Sequence, residues 1–134
     1  MRVLFAYDGS PFAKRALRYA ARFEHGLEAL VISVSPVLIE APATEQSTDP
    51  EHGRREALEQ LEEARRLLSE LGVEAEALHA FGNPAEEIIA AAEQRGADLI
   101  VVGQRGRSAI ARFIEGSVTD RVVRHASCDV LVVR

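Results

Sequence analysis

"RVLFAYDGSPFAKRALRYAARFEHG", Arg2–Gly26, holds two patterns in succession. Its opening, "RVLFAY" (2–7), is a continuous apolar run, as expected of a strand buried on both faces. In the remainder Phe12, Ala16, Leu17, Ala20 and Phe23 recur at helical spacing. Ser10 and Pro11 suit the N-cap and N1 positions of that helix, and Gly26 suits its stop. A buried strand therefore runs into an amphipathic helix, and the chain beyond keeps the same alternation.

"EALVISVS" (28–35) reads as a second buried strand. Residues 36–50, "PVLIEAPATEQSTDP", carry three prolines and no clean period, and read as a surface loop. Asp49-Pro50 then starts a long helix, with Leu58, Leu61, Ala64, Leu68 and Leu71 as its apolar stripe and Gly72 as its end. "VEAEALHAF" (73–81) alternates apolar with polar, the pattern of a strand with one wetter face at a sheet edge. "GNPAEEIIAAAEQRG" (82–96) has Asn83 as N-cap, Pro84 at N1, Glu86 placed for a capping box and Gly96 as stop. "ADLIVV" (97–102) is another buried strand. A short helix is expected near 116–126, with Arg124 and His125 at its negative end, and "DVLVVR" (129–134) is the last strand. The order β-α-β-α-β-α-β-α-β implies an α/β fold: a mostly parallel sheet covered by helices on both faces, with right-handed crossovers.

A length of 134 residues suits one domain, 1–134, with a proper core. Hydrophobic content of 47% and charged content of 28% fit a globular protein. A net charge of −5 argues against nucleic acid as a partner. No apolar run approaches a membrane span, and the N-terminal apolar run lacks a small-residue cleavage site, so neither membrane nor secretion is expected. Cys128 is the only cysteine, which excludes an internal disulfide and makes a cytoplasmic location the expectation. Histidines 25, 52, 79 and 125 show no metal-ligand spacing on one face, so no metal site is expected.

The chemistry is expected in "GQRGRSAIARFIEGSV", Gly103–Val118. In open α/β sheets ligands bind beyond the C-terminal strand ends, where the winding reverses. Gly103 follows the fourth strand, and Asp8, Gly9 and Ser10 follow the first. "GSVT" (116–119) would open the last helix, whose free N–H groups and partial positive charge suit an anion. Gly116 lets backbone approach closely, and the hydroxyls of Ser117 and Thr119 add donors. Gly103 and Gly106 let the preceding loop curl over phosphate, and Arg105, Arg107 and Arg112 supply positive charge. From spacing alone these glycines are equally well read as turn residues. The spacing is neither a Walker A motif, since no Gly-Lys-Ser/Thr occurs, nor the dinucleotide fingerprint, since the third glycine lies too far along.

Gly103-x-x-Gly106, nine residues, then Gly116-Ser117 resembles the ATP-binding pattern of the universal stress protein family. The resemblance spans nearly the whole chain: "VLFAYDGSPFAKRAL", "FGNPAEEII", "ADLIVVGQRGRS" and "GSVTDRVVRHASCDVLVVR" are all similar to family segments. It implies an open five-stranded parallel sheet of order 3-2-1-4-5, of the Rossmann-like type. It also implies ATP as ligand, any Mg2+ being held by the phosphates. Asp8 and Val34 would border the adenine, with Tyr7 and Ser10 beside Asp8. Val102 and Gly103 would lie near the ribose. Gly106, Gly116, Ser117 and Val118 would hold the phosphates, with Arg105 and Thr119 alongside. The chain departs from the family pattern at Asp129, where many members carry proline before the last strand.

An apolar edge strand such as 129–134 is a liability in a monomer, and pairing with a two-fold mate would satisfy it; the resemblance implies such a homodimer. Three roles stay open on the sequence. The first is a nucleotide-dependent regulatory module. The second is a slow ATP hydrolase or phosphotransferase, for which no P-loop lysine and no clear base are present. The third is a dimeric stress scaffold that needs no nucleotide.

Overall fold

The computed structural model describes residues 1–23, 26–36, 50–104 and 117–134. Strands β1 (Arg2–Ala6), β2 (Glu28–Ser35), β3 (Ala75–Phe81), β4 (Leu99–Gly103) and β5 (Asp129–Val133) alternate with helices α1 (Pro11–Phe23), α2 (Pro50–Glu70), α3 (Pro84–Arg95) and α4 (Ser117–His125). The sheet is parallel, in the order β3-β2-β1-β4-β5. β1 is central and nearly fully buried, which is why its sequence is apolar without alternation. Leu4 sits level with Leu30 on one side and Ile100 on the other.

The pleat sends alternate side chains to two cores. Val3, Phe5, Val31 and Val101 pack under α1 and α2, against Leu17, Leu61 and Leu68. Leu4, Ile32, Ile100 and Val102 pack under α3 and α4, against Ile88, Ala92 and Val122. Right-handed crossovers explain the division: the chain winds one way from β1 to β3 and the other way from β4 to β5. β3 stands at an edge, as its alternating sequence predicts, and none of its residues is fully buried.

Two capping arrangements follow the sequence closely. The Asn83 side chain accepts the Glu86 N–H at 3.1 Å with Pro84 next in line, and Gly96 ends α3 in the left-handed region at φ 64°. The Glu86 carboxylate lies 3.8 Å from Arg121 of α4, so α3 and α4 are linked where a capping box was expected. The stripe on α2 needs correction. Ala57, Leu61, Ala64, Leu67 and Leu68 face the core, while Leu58 and Leu71 are 48% and 40% exposed. Leu58 lies one residue, about 100°, round from Ala57, and Leu71 falls in the turn beyond the helix end. Cys128 packs as a small apolar group against the α3/α4 core, as expected. The loop 37–49, His25 and the side chain of Phe23 lie outside the described residues.

Candidate functional site

Winding reverses between β1 and β4, so the loops after these strands leave a gap at the C-terminal crest of the sheet. A cavity of ≈ 390 Å³ occupies that gap, a size within the range of small-molecule sites. Ala6, Ile32, Val34 and Val102 form its apolar floor at the ends of β1, β2 and β4. Tyr7, Asp8 and Ala13 close it from the α1 side, Pro84 and Ile88 from α3, and Val118 and Thr119 from α4.

The loop after β1 is built by local hydrogen bonds. Asp8 Oδ1 accepts the Ser10 N–H at 2.9 Å, an Asx turn, with Gly9 between them at φ 79°. The Ser10 hydroxyl accepts the Ala13 N–H at 3.1 Å, and the Ser10 carbonyl accepts the Lys14 N–H at 3.0 Å. Ser10 is thus the N-cap of α1 and is buried in that role. Asp8 is both a turn former and a wall of the cavity.

Behind the cavity the Tyr7 hydroxyl donates to the Glu63 carboxylate of α2, and Lys14 of α1 stands 3.6 Å from the same group. Burial first, then the hydrogen bond to Glu63 and its charge, pushes the Tyr7 phenol far above its ordinary range. Ser35 Oγ lies 2.9 Å from the Gly53 carbonyl and 2.8 Å from His79 Nε2. Burial, with the Arg54 charge second, holds the His79 imidazolium pKa below its usual value.

At the opposite end, Thr119 Oγ1 donates to the Gly103 carbonyl at 2.8 Å and ties the first turn of α4 to the tip of β4. The expected donor hydroxyl at Thr119 is therefore already engaged, although its lone pairs still accept. Gly103 also has a structural reason. A Cβ there would meet the backbone C and O of Phe12 at 2.8 Å, because α1 begins directly against β4. Arg105, Gly106, Arg107, Arg112 and Gly116 lie outside the described residues, as does the side chain of Ser117.

Of the sequence-predicted residues that are described, Tyr7, Asp8, Val34, Val102, Gly103, Val118 and Thr119 come together around one cavity. Sequence reasoning missed the wall that α2 contributes: Gly53, Glu56, Ala57 and Gln60. Their signal was present. They recur at i, i+3, i+4 and i+7, continuing the inward face of α2 toward its N-terminus but with small and polar residues where the core face has Leu and Ala.

A parallel sheet of order 3-2-1-4-5 with a ligand-sized cavity at its winding reversal defines an open, doubly wound α/β protein. The chain belongs to the universal stress protein family, whose sequence model matches residues 1–134. It is similar to the universal stress protein YxiE of Bacillus subtilis, 36% identical over 146 residues that cover 99% of this chain and 98% of the relative. Among solved structures it is similar to a universal stress protein in complex with cAMP, with TM-score 0.77, 26% identity, and coverage of 100% of this chain and 97% of that one. It is also similar to the universal stress protein of Archaeoglobus fulgidus in complex with dAMP, with TM-score 0.73, 27% identity, and coverage of 100% and 98%. No described helix is long and apolar enough to cross a membrane.

Proposed function

We propose that the crest cavity binds an adenine nucleotide, with ATP as the working ligand, and that occupancy regulates a homodimer in the cytoplasm. The observation that carries this reading is the cavity itself: an apolar floor at the winding reversal, with the N-terminus of α4 fixed at one end. Such a helix end attracts phosphate, and an apolar floor suits a base. The cAMP and dAMP held by two related structures support the same ligand class.

In this reading Asp8 and Val34 border the base, with Tyr7 behind and Ser10 fixing the loop that presents Asp8. Val102 and Gly103 lie along the ribose. Gly106, Gly116, Ser117, Val118 and Thr119 surround the phosphates, with Arg105 adding positive charge and Mg2+ held by the phosphates. β5 is an edge strand, and its Val132 is 37% exposed. Pairing of this edge with a second copy would join its open hydrogen-bonding groups. Sedimentation is expected to give a dimer mass; a monomer at micromolar concentration would remove the dimer from the proposal.

Calorimetric titration with ATP, ADP and AMP, followed by measurement of phosphate release, tests the assignment. Saturable binding without multiple turnovers supports a regulatory module. Repeated turnover would make the protein an enzyme, and no binding to any of the three would refute the nucleotide site. Gly116→Val is expected to weaken ATP binding at least ~10-fold by blocking backbone approach to phosphate. Unchanged affinity in a folded variant would count against phosphate at that place.

A further inference from the structure

β3 is the second edge of the sheet, and it lacks the devices that blunt an edge strand. It pairs with β2 without a bulge over its 7 residues, Ala75–Phe81, and contains neither proline nor lysine. Among the described residues no strand lies beyond it. Backbone parity decides which of its groups point outward. The Glu28 N–H donates to the Met1 carbonyl, and the Tyr7 N–H donates to the Ile32 carbonyl, so the even residues of β2 serve β1. Its odd residues therefore serve β3, and the Gly82 N–H donates to the Ser35 carbonyl at 3.0 Å. The even positions of β3 turn inward with Gly82. Ala75, Ala77, His79 and Phe81 direct their N–H and C=O groups out of the sheet.

Two exposed apolar side chains flank this edge. Phe81 is 46% exposed and meets the His79 ring edge-on, with 4.6 Å between centroids. Leu58 of α2 is 48% exposed. It follows Arg54, whose charge acts on His79, by one helical turn, and so shares the flank of α2 that borders β3.

Laid antiparallel to a second copy, the edge is complementary to itself. Leu78 is the midpoint of β3, and a two-fold axis there pairs the whole strand. The outward residues form the hydrogen-bonded pairs, Ala77 with the second copy's His79 and Ala75 with its Phe81. On the α2 face the two large side chains thus meet the two small ones. On the α3 face Leu78 meets Leu78, and Glu76 meets Ala80. The Glu76 carboxylate is already paired with Arg95 at 2.7 Å. Neighbouring registers fit less well. An axis at Ala77 sets Glu76 against Leu78, and an axis at His79 sets that ring against itself. An axis at Glu76 puts like charges directly opposite each other.

We infer that the β3 edge is a surface for a second copy of this chain, paired antiparallel about Leu78 so that the sheet continues from one copy into the next. With β5 paired as proposed above, copies join alternately through the two edges. A single strand pair is a small interface of the weak class, so this contact forms as the chain is concentrated.

Sedimentation of Val132→Lys, whose β5 edge is blocked by charge, isolates the β3 contact. Its mass is expected to rise from one chain to two between micromolar and millimolar concentration. Adding Phe81→Lys, at an exposed site, is expected to hold it at one chain throughout. A single-chain mass in Val132→Lys at every concentration, or a two-chain mass that survives Phe81→Lys, overturns the inference. The β5 pairing fails separately, when the intact chain and Val132→Lys sediment alike. Leu78→Cys reads the register. Partners of a non-hydrogen-bonded pair have Cα atoms ~4.5 Å apart, within reach of a disulfide. Mild oxidation is expected to link position 78 of one copy to position 78 of another, and peptide mapping separates this bond from any made by Cys128. Glu76→Cys, set opposite Ala80, is expected not to link to itself. Thermal melts establish that the variants are folded. Equal self-linking at the two positions, or none at position 78 in the folded variant, overturns the pairing about Leu78.

Discussion

Replacing Gly103 with alanine is expected to destabilise the fold by about 2–3 kcal/mol, the range for overpacking a tight interior, and to lower the melting temperature by roughly 10 °C for a domain of this size. The new Cβ would sit 2.8 Å from both the carbonyl carbon and oxygen of Phe12, and 3.0 Å from its Cβ. The first two atoms are backbone at the start of α1 and the Cβ is fixed by that backbone, so no rotamer change relieves the contact. Gly103 is also held from its other side. Its carbonyl accepts from Thr119, it pairs with Val133, and the next amide, Gln104 N–H, donates to the Val133 carbonyl at 2.8 Å. The strand tip cannot move away without loosening α4 and β5, so α1 must shift instead.

A glycine-to-alanine change also removes conformational freedom from the unfolded chain, which favours folding by ~0.4–1 kcal/mol. At Gly103 the clash outweighs that gain. At Gly53 it does not: the nearest atom to an added Cβ is Ser35 Cβ at 3.6 Å, an ordinary contact, and the residue lies within α2. Gly53→Ala is therefore expected to stabilise by about 0.5–1 kcal/mol. Melting curves of the two variants check the argument together. A Gly103→Ala protein melting within 2 °C, on the order of error, of the unmodified chain would show that α1 does not press on β4 as the structure has it.

Tyr7→Phe is expected to change how stability depends on alkaline pH. In the folded protein Tyr7 is 3% exposed and its hydroxyl donates to Glu63; burial first, then that bond, raises the phenol well above its ordinary range. An unfolded tyrosine ionises near pH 10. Above that pH the unfolded chain binds fewer protons than the folded one at this site. Stability therefore falls as pH rises, by at most about 1.4 kcal/mol per pH unit. Between pH 10 and 11.5 the loss through Tyr7 amounts to roughly 2 kcal/mol. Below pH 10 the contribution is fully present. Tyr7→Phe lacks the proton and the hydrogen bond, so it starts less stable at pH 8 by about 1–2 kcal/mol. The gap between the two proteins then closes as pH rises. Urea unfolding at intervals from pH 8 to 11.5 measures it, and a gap that stays constant would show that Tyr7 is not held in the pair with Glu63.

The element order, the two-faced sheet and the caps at Ser10, Asn83 and Gly96 were legible because each depends on local chemistry. A proline at N1, an Asx side chain before it or a glycine at a left-handed position acts within a few residues. The apolar run in β1 likewise announces a strand with neighbours on both sides. Part of the candidate site was legible for a related reason. Residues that follow a parallel strand arrive at the same crest of the sheet whatever their separation in sequence, so Asp8, Val34 and Gly103 meet.

The remainder was decided by packing between elements. Sequence alone gives Gly103 as a phosphate-loop glycine or a turn. Only the approach of Phe12, from a helix far earlier in the chain, shows why no larger residue fits. Thr119 reads as a ligand hydroxyl until its O–H is found donating to the Gly103 carbonyl. Leu58 matches a helical stripe by type, but the angle at which α2 lies on β2 and β3 turns it to solvent and brings Ala57 and Leu67 inward, while Leu71 falls in the turn beyond the helix end. The same angle carries Gly53, Glu56 and Gln60 past the end of the core and onto the cavity. Spacing along a helix fixes which residues share a face; where that face points is set by the partners it packs against, and those are distant in the chain.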